Sequence, residues 1–87
     1  MKAIIYHTAN CQKCKLTARQ LKMDTEMRLL DSYPDVLAKL KLLGIRSAPY
    51  VVVETDSRAA VDSWNDFNID KIHEWNQRVE DTPDYPD

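Results

Sequence analysis

Two cysteines separated by two residues are the feature whose residue type and spacing point most directly to chemistry. Both cysteines of the chain lie in the segment Cys11-Gln12-Lys13-Cys14. Disulfide exchange needs one exposed thiolate that attacks a disulfide and a second sulfur within reach that releases the mixed disulfide. On the first turn of a helix, this spacing places both sulfurs on one face, about one turn apart. The segment therefore predicts a dithiol redox site.

The helix that this motif would open predicts different roles for the two sulfurs. Cys11 would meet free backbone N–H groups and the positive end of the helix dipole, which stabilise a thiolate. Cys14 would be shielded, because it begins an apolar stripe on that helix. Cys11 is thus predicted to attack and Cys14 to resolve. Lys13 adds positive charge that favours the thiolate, by a small amount because solvent screens it. The stripe consists of Cys14, Thr17, Ala18 and Leu21.

Other interpretations of the cysteine pair stay open at this point. A purely structural disulfide would close a very short loop, would contribute roughly 2 kcal/mol, and would be reduced in the cytosol. Cys11 and Cys14 could form a zinc or iron–sulfur site with His7 and His73, although tetrahedral sites usually use two close pairs of ligands. A third interpretation is that both cysteines pack as small apolar side chains, but lysines would not be expected next to such buried residues.

Composition limits the classes of protein to which the chain can belong. Its 87 residues suffice for one small domain, and 44% hydrophobic with 30% charged residues is typical of a folded chain. The net charge of −2 argues against a general binder of nucleic acid or of membrane surfaces. No apolar run approaches the roughly 18 residues of a membrane span, and the apolar stretch near the N-terminus is too short for a signal peptide. We therefore expect an intracellular, cytoplasmic protein without nucleic-acid or membrane partners.

Charge is distributed unevenly along the chain. Residues 1–46 carry nine Lys and Arg against four Asp and Glu, whereas residues 47–87 carry three against ten. The last eight residues, EDTPDYPD, include four acids and two prolines, a composition typical of a solvated tail. The sequence thus predicts one domain over residues 1–79 and an acidic, disordered tail over residues 80–87.

Four strands and three helices are predicted, in the order β-α-β-α-β-β-α. Lys2–His7 is a nearly continuous apolar run, as expected of a strand covered on both faces. Further strands are predicted over residues 25–31, 50–54 and 59–64, the last two as a hairpin. A helix between the first two strands implies parallel pairing through a right-handed crossover. The predicted fold class is α/β, a four-stranded mixed sheet with helices on its faces.

Capping residues predict the ends of the helices. The first helix is expected to end near residue 23. Ser32 would cap the second helix, with Pro34 in its first turn, and Gly44 would end it in a left-handed conformation. Asn68 would cap the last helix. The predicted buried stripes are Val36, Leu37, Leu40 and Leu43 on the second helix, and Ile69, Ile72, Trp75 and Val79 on the last.

Three segments, in the right order and at the right distances, resemble the NrdH-type redoxins of the glutaredoxin branch of the thioredoxin fold. Ile4-Ile5-Tyr6 followed by the cysteine motif resembles the first strand and the active-site helix of that family. Residues 44–49, GIRSAP, resemble its Gly-x-x-Ser-Ala-Pro segment. Residues 63–72, SWNDFNIDKI, resemble its Trp-Ser-Gly-Phe-Arg-Pro-Asp stretch. The resemblance covers about residues 2–79.

The resemblance implies a thioredoxin-like fold and a thiol-disulfide oxidoreductase that acts as an electron donor. It implies no bound cofactor beyond the redox-active Cys11–Cys14 disulfide, with electrons that come from NADPH through thioredoxin reductase. The implied electron acceptor is a class Ib ribonucleotide reductase, and we expect a monomer. These partners are expectations from the family.

The resemblance also implies roles for further residues. Pro49 would be the cis-proline that faces the cysteines, and the backbone of Ala48 would pair with the substrate as an added strand. Trp64 and Phe67 correspond to aromatic positions beside the groove. For both aromatic residues, plain packing in the core is an equally good interpretation.

Departures from the related families bear on the reductant. Glutaredoxins that use glutathione carry Lys and Pro before the first cysteine, where this chain has Thr8 and Ala9. A cation for a glutathione carboxylate is therefore missing, which favours thioredoxin reductase. Asn65 and Asp66 stand where NrdH-type redoxins have Ser-Gly. A glutathione-dependent glutaredoxin and a non-enzymatic metal-binding module remain the alternatives.

Overall fold

Strands and helices follow the predicted order in the computed structural model, which describes residues 1–81. A short 3₁₀ helix that was not predicted, Leu30–Ser32, follows the second strand. The elements are β1 (Lys2–His7), α1 (Gln12–Gln20), β2 (Asp24–Leu29), α2 (Pro34–Leu42), β3 (Tyr50–Glu54), β4 (Ala60–Asn65) and α3 (Ile69–Asp81).

The four strands form one mixed sheet in the order β2-β1-β3-β4. β1 pairs in parallel with β2 and antiparallel with β3, and β4 continues the antiparallel half. As a central strand covered on both faces, β1 buries Ala3, Ile4 and Ile5 completely. The predicted fold class and the predicted pairing of the strands are therefore confirmed.

Two hydrophobic clusters lie on opposite faces of the sheet, because successive side chains of a strand point to opposite sides. The larger cluster joins the sheet to α1 and α3, and the smaller one joins it to α2. The larger cluster comprises Ala3, Ile5, Leu21, Met23, Val51, Val53, Trp64, Ile72 and Trp75. The smaller one comprises Ile4, Tyr6, Leu30, Leu40 and Tyr50.

A polar network connects β4 to α3 at the edge of the larger cluster. The Asp62 carboxylate accepts hydrogen bonds from Trp75 Nε1 at 2.8 Å and from Lys71 Nζ at 2.9 Å. Burial alone would raise the pKa of Asp62, but these hydrogen bonds and one from the Ser63 backbone lower it overall. Asp62 is thus an ionised acceptor that fixes the last helix on the edge strand.

Two of the predicted helix caps are confirmed. Gly44 has φ +73°, the left-handed conformation that a glycine adopts without a steric penalty. Asn68 Oδ1 accepts a hydrogen bond from the Lys71 backbone N–H at 3.1 Å, which satisfies one of the free donors at the start of α3.

Three predictions about helix ends are wrong. Ser32 belongs to the 3₁₀ helix, and Tyr33 precedes α2 without a side-chain capping hydrogen bond. Leu43 is 61% exposed, because α2 ends at Leu42 and the helical spacing no longer applies beyond it. Ile69 is 39% exposed. It is the first residue of α3, and because helical side chains point towards the N-terminus, its side chain projects beyond the start of the helix.

Most element boundaries differ from the predicted ones by a few residues. α1 ends at Gln20, three residues early, while β2 and β4 are each shifted by one or two residues. α3 continues to Asp81, past the expected domain boundary at residue 79, and the rest of the predicted tail lies outside the described residues. Within residues 1–81, no helix is both long and apolar enough to cross a membrane.

Candidate active site

Cys11 and Cys14 are joined by a disulfide at the start of α1. Their Cα atoms are 5.2 Å apart. Cys11 is the N-cap residue of the helix, and its sulfur accepts a hydrogen bond from the Cys14 backbone N–H at 3.1 Å. The attacking sulfur predicted from the sequence therefore lies where a helix offers free N–H donors and a positive dipole end.

The two sulfur-bearing residues differ in exposure. Cys14 is only 1% exposed, whereas Cys11 is half-buried. A partner disulfide can reach the first sulfur more readily than the second. This asymmetry agrees with attack by Cys11 and resolution by Cys14, an assignment that stays a prediction.

Local contacts hold the motif in this conformation. Asn10 has φ 56°, a left-handed conformation that asparagine tolerates better than most residues, and it directs the chain into the helix. The Thr17 hydroxyl, fully buried, donates to the Lys13 carbonyl oxygen at 2.8 Å. Leu21, in the same predicted stripe, is buried, and Ala18 is half-buried.

Lys13, between the two cysteines, forms an ion pair with Asp66. The Lys13 Nζ lies 2.9 Å from Asp66 Oδ1. The hydrogen bond from Lys13 and a second from the Phe67 backbone hold the pKa of Asp66 below its usual value of 3.8. The side chains are 60% and 39% exposed, so water screens the pair. The positive charge predicted to favour the Cys11 thiolate is thus shared with a carboxylate.

Asp66 also contacts the segment that contains Pro49. Its backbone N–H donates to the Pro49 carbonyl oxygen at 2.8 Å. The peptide bond between Ala48 and Pro49 is cis, as the resemblance implied. One aspartate therefore connects the cysteine motif with the proline segment.

The predicted partner-binding residues differ in their environment. Pro49 is buried, while Ala48 is half-buried. Trp64 is 7% exposed within the larger hydrophobic cluster, and half-buried Phe67 packs against that cluster. Both aromatic residues therefore pack in or against the core, and a role in partner binding stays a prediction. Among the described residues, Trp64 Nε1 has no hydrogen-bond partner.

The structure also locates the proposed metal ligands. His7 at the end of β1 donates from Nδ1 to the Thr8 carbonyl oxygen at 3.1 Å, and His73 on α3 is exposed. In the part of the chain that the structure describes, no three His, Cys, Asp or Glu side chains are grouped as a metal ion would require.

Sequence reasoning missed the part that Asp66 plays in the site. Its φ of 66° lies in the left-handed region, which glycine adopts most easily. A signal was present, since Asp66 stands where the NrdH-type redoxins have glycine. The ion pair itself depends on tertiary structure, because it joins residues from opposite halves of the chain.

Comparison with solved structures finds several matches, among them two bacterial redoxins. One is the glutaredoxin-like protein NrdH-redoxin from Escherichia coli, 30% identical, over 85% of this chain and 93% of that one, with a TM-score of 0.67. Its reported activity profile is thioredoxin-like. The other is thioredoxin 1 from the thermophilic eubacterium Thermosipho africanus, with a TM-score of 0.60 and 19% identity over 98% of this chain and 100% of that one. No family model and no curated protein matches the sequence.

The mixed sheet, the helix that starts at a Cys-x-x-Cys pair and the two structural matches define a redoxin with a thioredoxin-like fold. At 30% identity over nearly the whole length of the first match, the chain belongs to the NrdH-redoxin family.

Proposed function

We propose that this redoxin is a dithiol electron carrier that reduces a protein disulfide through Cys11 and Cys14. The observation that carries this proposal is the disulfide-bonded pair at the start of α1, with Cys11 half-buried and Cys14 buried. Electrons would come from NADPH through thioredoxin reductase, with no cofactor other than the dithiol itself. The proposed acceptor is the large subunit of a class Ib ribonucleotide reductase, and the protein would act in the cytoplasm as a monomer.

The proposed reaction begins with the reduced dithiol. The Cys11 thiolate attacks one sulfur of the partner disulfide, whose S–S bond breaks, and the departing sulfur takes up a proton. Cys14 then loses its proton and attacks the Cys11 sulfur. The mixed disulfide breaks, the second partner sulfur leaves as a thiol, and the Cys11–Cys14 disulfide forms. Two electrons have then passed to the partner, and a reductase must return two.

Helix geometry supports the first of these steps. A thiolate at the N-cap position retains the hydrogen bond from the Cys14 N–H and gains from the dipole of α1. Since thiolate is the attacking species, its stabilisation raises the fraction of the protein that can react near neutral pH.

Three observations support thioredoxin reductase as the reductant. The positions before Cys11, where glutathione-dependent glutaredoxins carry a lysine, hold exposed Thr8 and Ala9. The matched NrdH-redoxin has a thioredoxin-like activity profile despite its likeness to glutaredoxins. Lys13, a cation within the motif, is paired with Asp66. This leaves it less suited to bind a glutathione carboxylate.

Turnover with two electron sources tests this proposal. Insulin disulfide reduction is measured with NADPH and thioredoxin reductase, and separately with NADPH, glutathione and glutathione reductase. We expect turnover with the first source and none above background with the second. Thr8→Lys serves as a matched variant, because it restores the missing cation and should raise only the glutathione-driven rate. Equal wild-type rates with both sources would contradict the proposed reductant.

The proposed acceptor needs its own measurement. Oxidised class Ib ribonucleotide reductase is mixed with the reduced protein, and its regain of activity is compared with that produced by a chemical dithiol. We expect faster reactivation by wild-type protein and none by Cys11→Ser. Reactivation that does not depend on Cys11 would contradict this choice of acceptor.

A further inference from the structure

Asp66 differs in charge from the other ionisable groups of three segments: residues 7–15, which contain the cysteine motif, and residues 44–49 and 64–67, which contact each other and the motif through Asp66. Apart from the two cysteines, those groups are His7, Lys13, Lys15, Arg46 and Asp66. Asp66 is the single acid among these five. It is also the residue that binds the cation located between the two cysteines.

The contacts of Asp66 fix its carboxylate in this position. The Phe67 backbone N–H donates to the same oxygen that binds Lys13, at 2.8 Å. The backbone N–H of Asp66 donates to the Pro49 carbonyl oxygen. Asp66 is therefore a fixed negative charge, attached to the proline segment, that determines where the Lys13 ammonium lies.

We propose that Asp66 is a positioning residue for the redox chemistry: by binding the Lys13 ammonium, it withholds that positive charge from Cys11. This inference rests on the proposed function of the cysteine pair. A thiolate that lacks the charge of Lys13 is less stabilised, so it ionises at higher pH and is intrinsically more nucleophilic. Because the reduced form loses stabilisation, the dithiol is also a stronger reductant.

Removing the carboxylate should therefore make Cys11 more acidic. A unit charge at about 8 Å in a mostly aqueous environment changes the ionisation of a thiol by about half a pH unit, roughly a threefold change in the ratio of thiolate to thiol. For Asp66→Asn we expect the pH of half-ionisation of Cys11 to fall by about that amount. Above that pH, a threefold stabilisation of the Cys11 thiolate in Asp66→Asn makes the reduction potential of the Cys11–Cys14 pair about 15 mV less negative.

Asparagine is a suitable replacement because it tolerates positive φ and keeps an oxygen that can accept from the Phe67 N–H. Asp66→Gly provides a second variant that also fits this backbone, and both variants should give the same shift. Asp24→Asn is the matched control for net charge. Asp24 is exposed at the start of β2, opposite Lys2 in the register of the two strands. It therefore lies at the end of the sheet away from the cysteine motif, which follows the other end of β1.

The experiment measures the rate at which iodoacetamide alkylates Cys11 in the reduced full-length protein, as a function of pH. Peptide mass spectrometry identifies the alkylated cysteine. The substitution Asp66→Asn is made alone and in a Lys13→Gln background. We expect the half-ionisation pH to fall in the first case, to change by less than half as much in the second, and to stay unchanged in Asp24→Asn.

An unchanged half-ionisation pH in Asp66→Asn would overturn the proposal. An equal fall with and without Lys13 would also overturn it, because Asp66 would then act on Cys11 directly. Wild-type turnover with thioredoxin reductase is recorded in parallel. If turnover is absent while the titrations behave as expected, the proposed function fails and the role of Asp66 stands. If turnover is present while the titrations do not behave as expected, only the proposed role of Asp66 fails.

Discussion

Asp62→Ala is expected to destabilise the protein more than the loss of the Lys71 ammonium with which Asp62 pairs between β4 and α3. Asp62 accepts hydrogen bonds from Trp75 Nε1 and Lys71 Nζ, at 2.8 and 2.9 Å. Trp75 is 3% exposed, so water cannot readily replace the lost acceptor. Lys71 is about one-third exposed, and its ammonium can turn to solvent. The main cost is therefore an unsatisfied buried indole N–H.

These contacts determine the size of the effect. A buried donor without a partner costs about 1–3 kcal/mol, and loss of a partly exposed ion pair adds up to about 1 kcal/mol. We expect a loss of about 2–3 kcal/mol in the free energy of unfolding. In a domain of this size each kcal/mol lowers Tm by about 4–8 °C, so Tm should fall by about 10–20 °C.

Urea unfolding followed by circular dichroism measures this loss, and two variants serve as controls. Asp62→Asn keeps an oxygen that Trp75 can use, so about 1 kcal/mol should be lost. Lys71→Met removes only the ion pair and should cost less than about 1 kcal/mol. An Asp62→Ala stability within about 0.5 kcal/mol of wild type would refute this explanation, and so would a loss in Lys71→Met as large as that in Asp62→Ala.

The remaining predictions concern helix ends and pH. Gly44→Ala should cost about 1 kcal/mol from positive φ alone, because an added Cβ meets no atom within 4 Å. Gly44→Asn should cost less, and equal losses in urea unfolding would contradict this account. Asn68→Ala should cost about 1 kcal/mol through loss of the cap on α3, and an unchanged unfolding midpoint would argue against that cap. Since the pKa of Asp62 is lowered in the fold, its contribution is present above about pH 4 and is lost as pH falls through the lowered value. The stability difference between wild type and Asp62→Asn should therefore narrow in acid, and a constant difference down to about pH 3 would contradict this.

The fold could be predicted because its signals are local. The apolar run of β1, the hairpin of β3 and β4, the lone Gly44 and the cap at Asn68 each reflect short-range preferences of the chain. The cysteine motif is equally local, since its spacing and its place at a helix start are properties of four consecutive residues.

What could not be predicted depends on tertiary structure or on competition between similar local signals. Ser32 is a good capping residue, but the chain forms a 3₁₀ turn there and begins α2 after Tyr33. The ion pair of Lys13 with Asp66 requires the end of β4 to lie beside the start of α1, which no local pattern specifies. The same holds for Asp62, whose hydrogen-bond partners lie on α3.

The central claim is that Cys11 attacks and Cys14 resolves, and trapping of a mixed disulfide tests it most directly. Cys14→Ser and Cys11→Ser proteins are reduced, mixed with an oxidised protein disulfide, and analysed by non-reducing electrophoresis and mass spectrometry. We predict that Cys14→Ser accumulates a covalent complex through Cys11, whereas Cys11→Ser forms none and transfers no electrons. A complex through Cys14 in the Cys11→Ser protein, or continued disulfide reduction by that variant, would contradict the account.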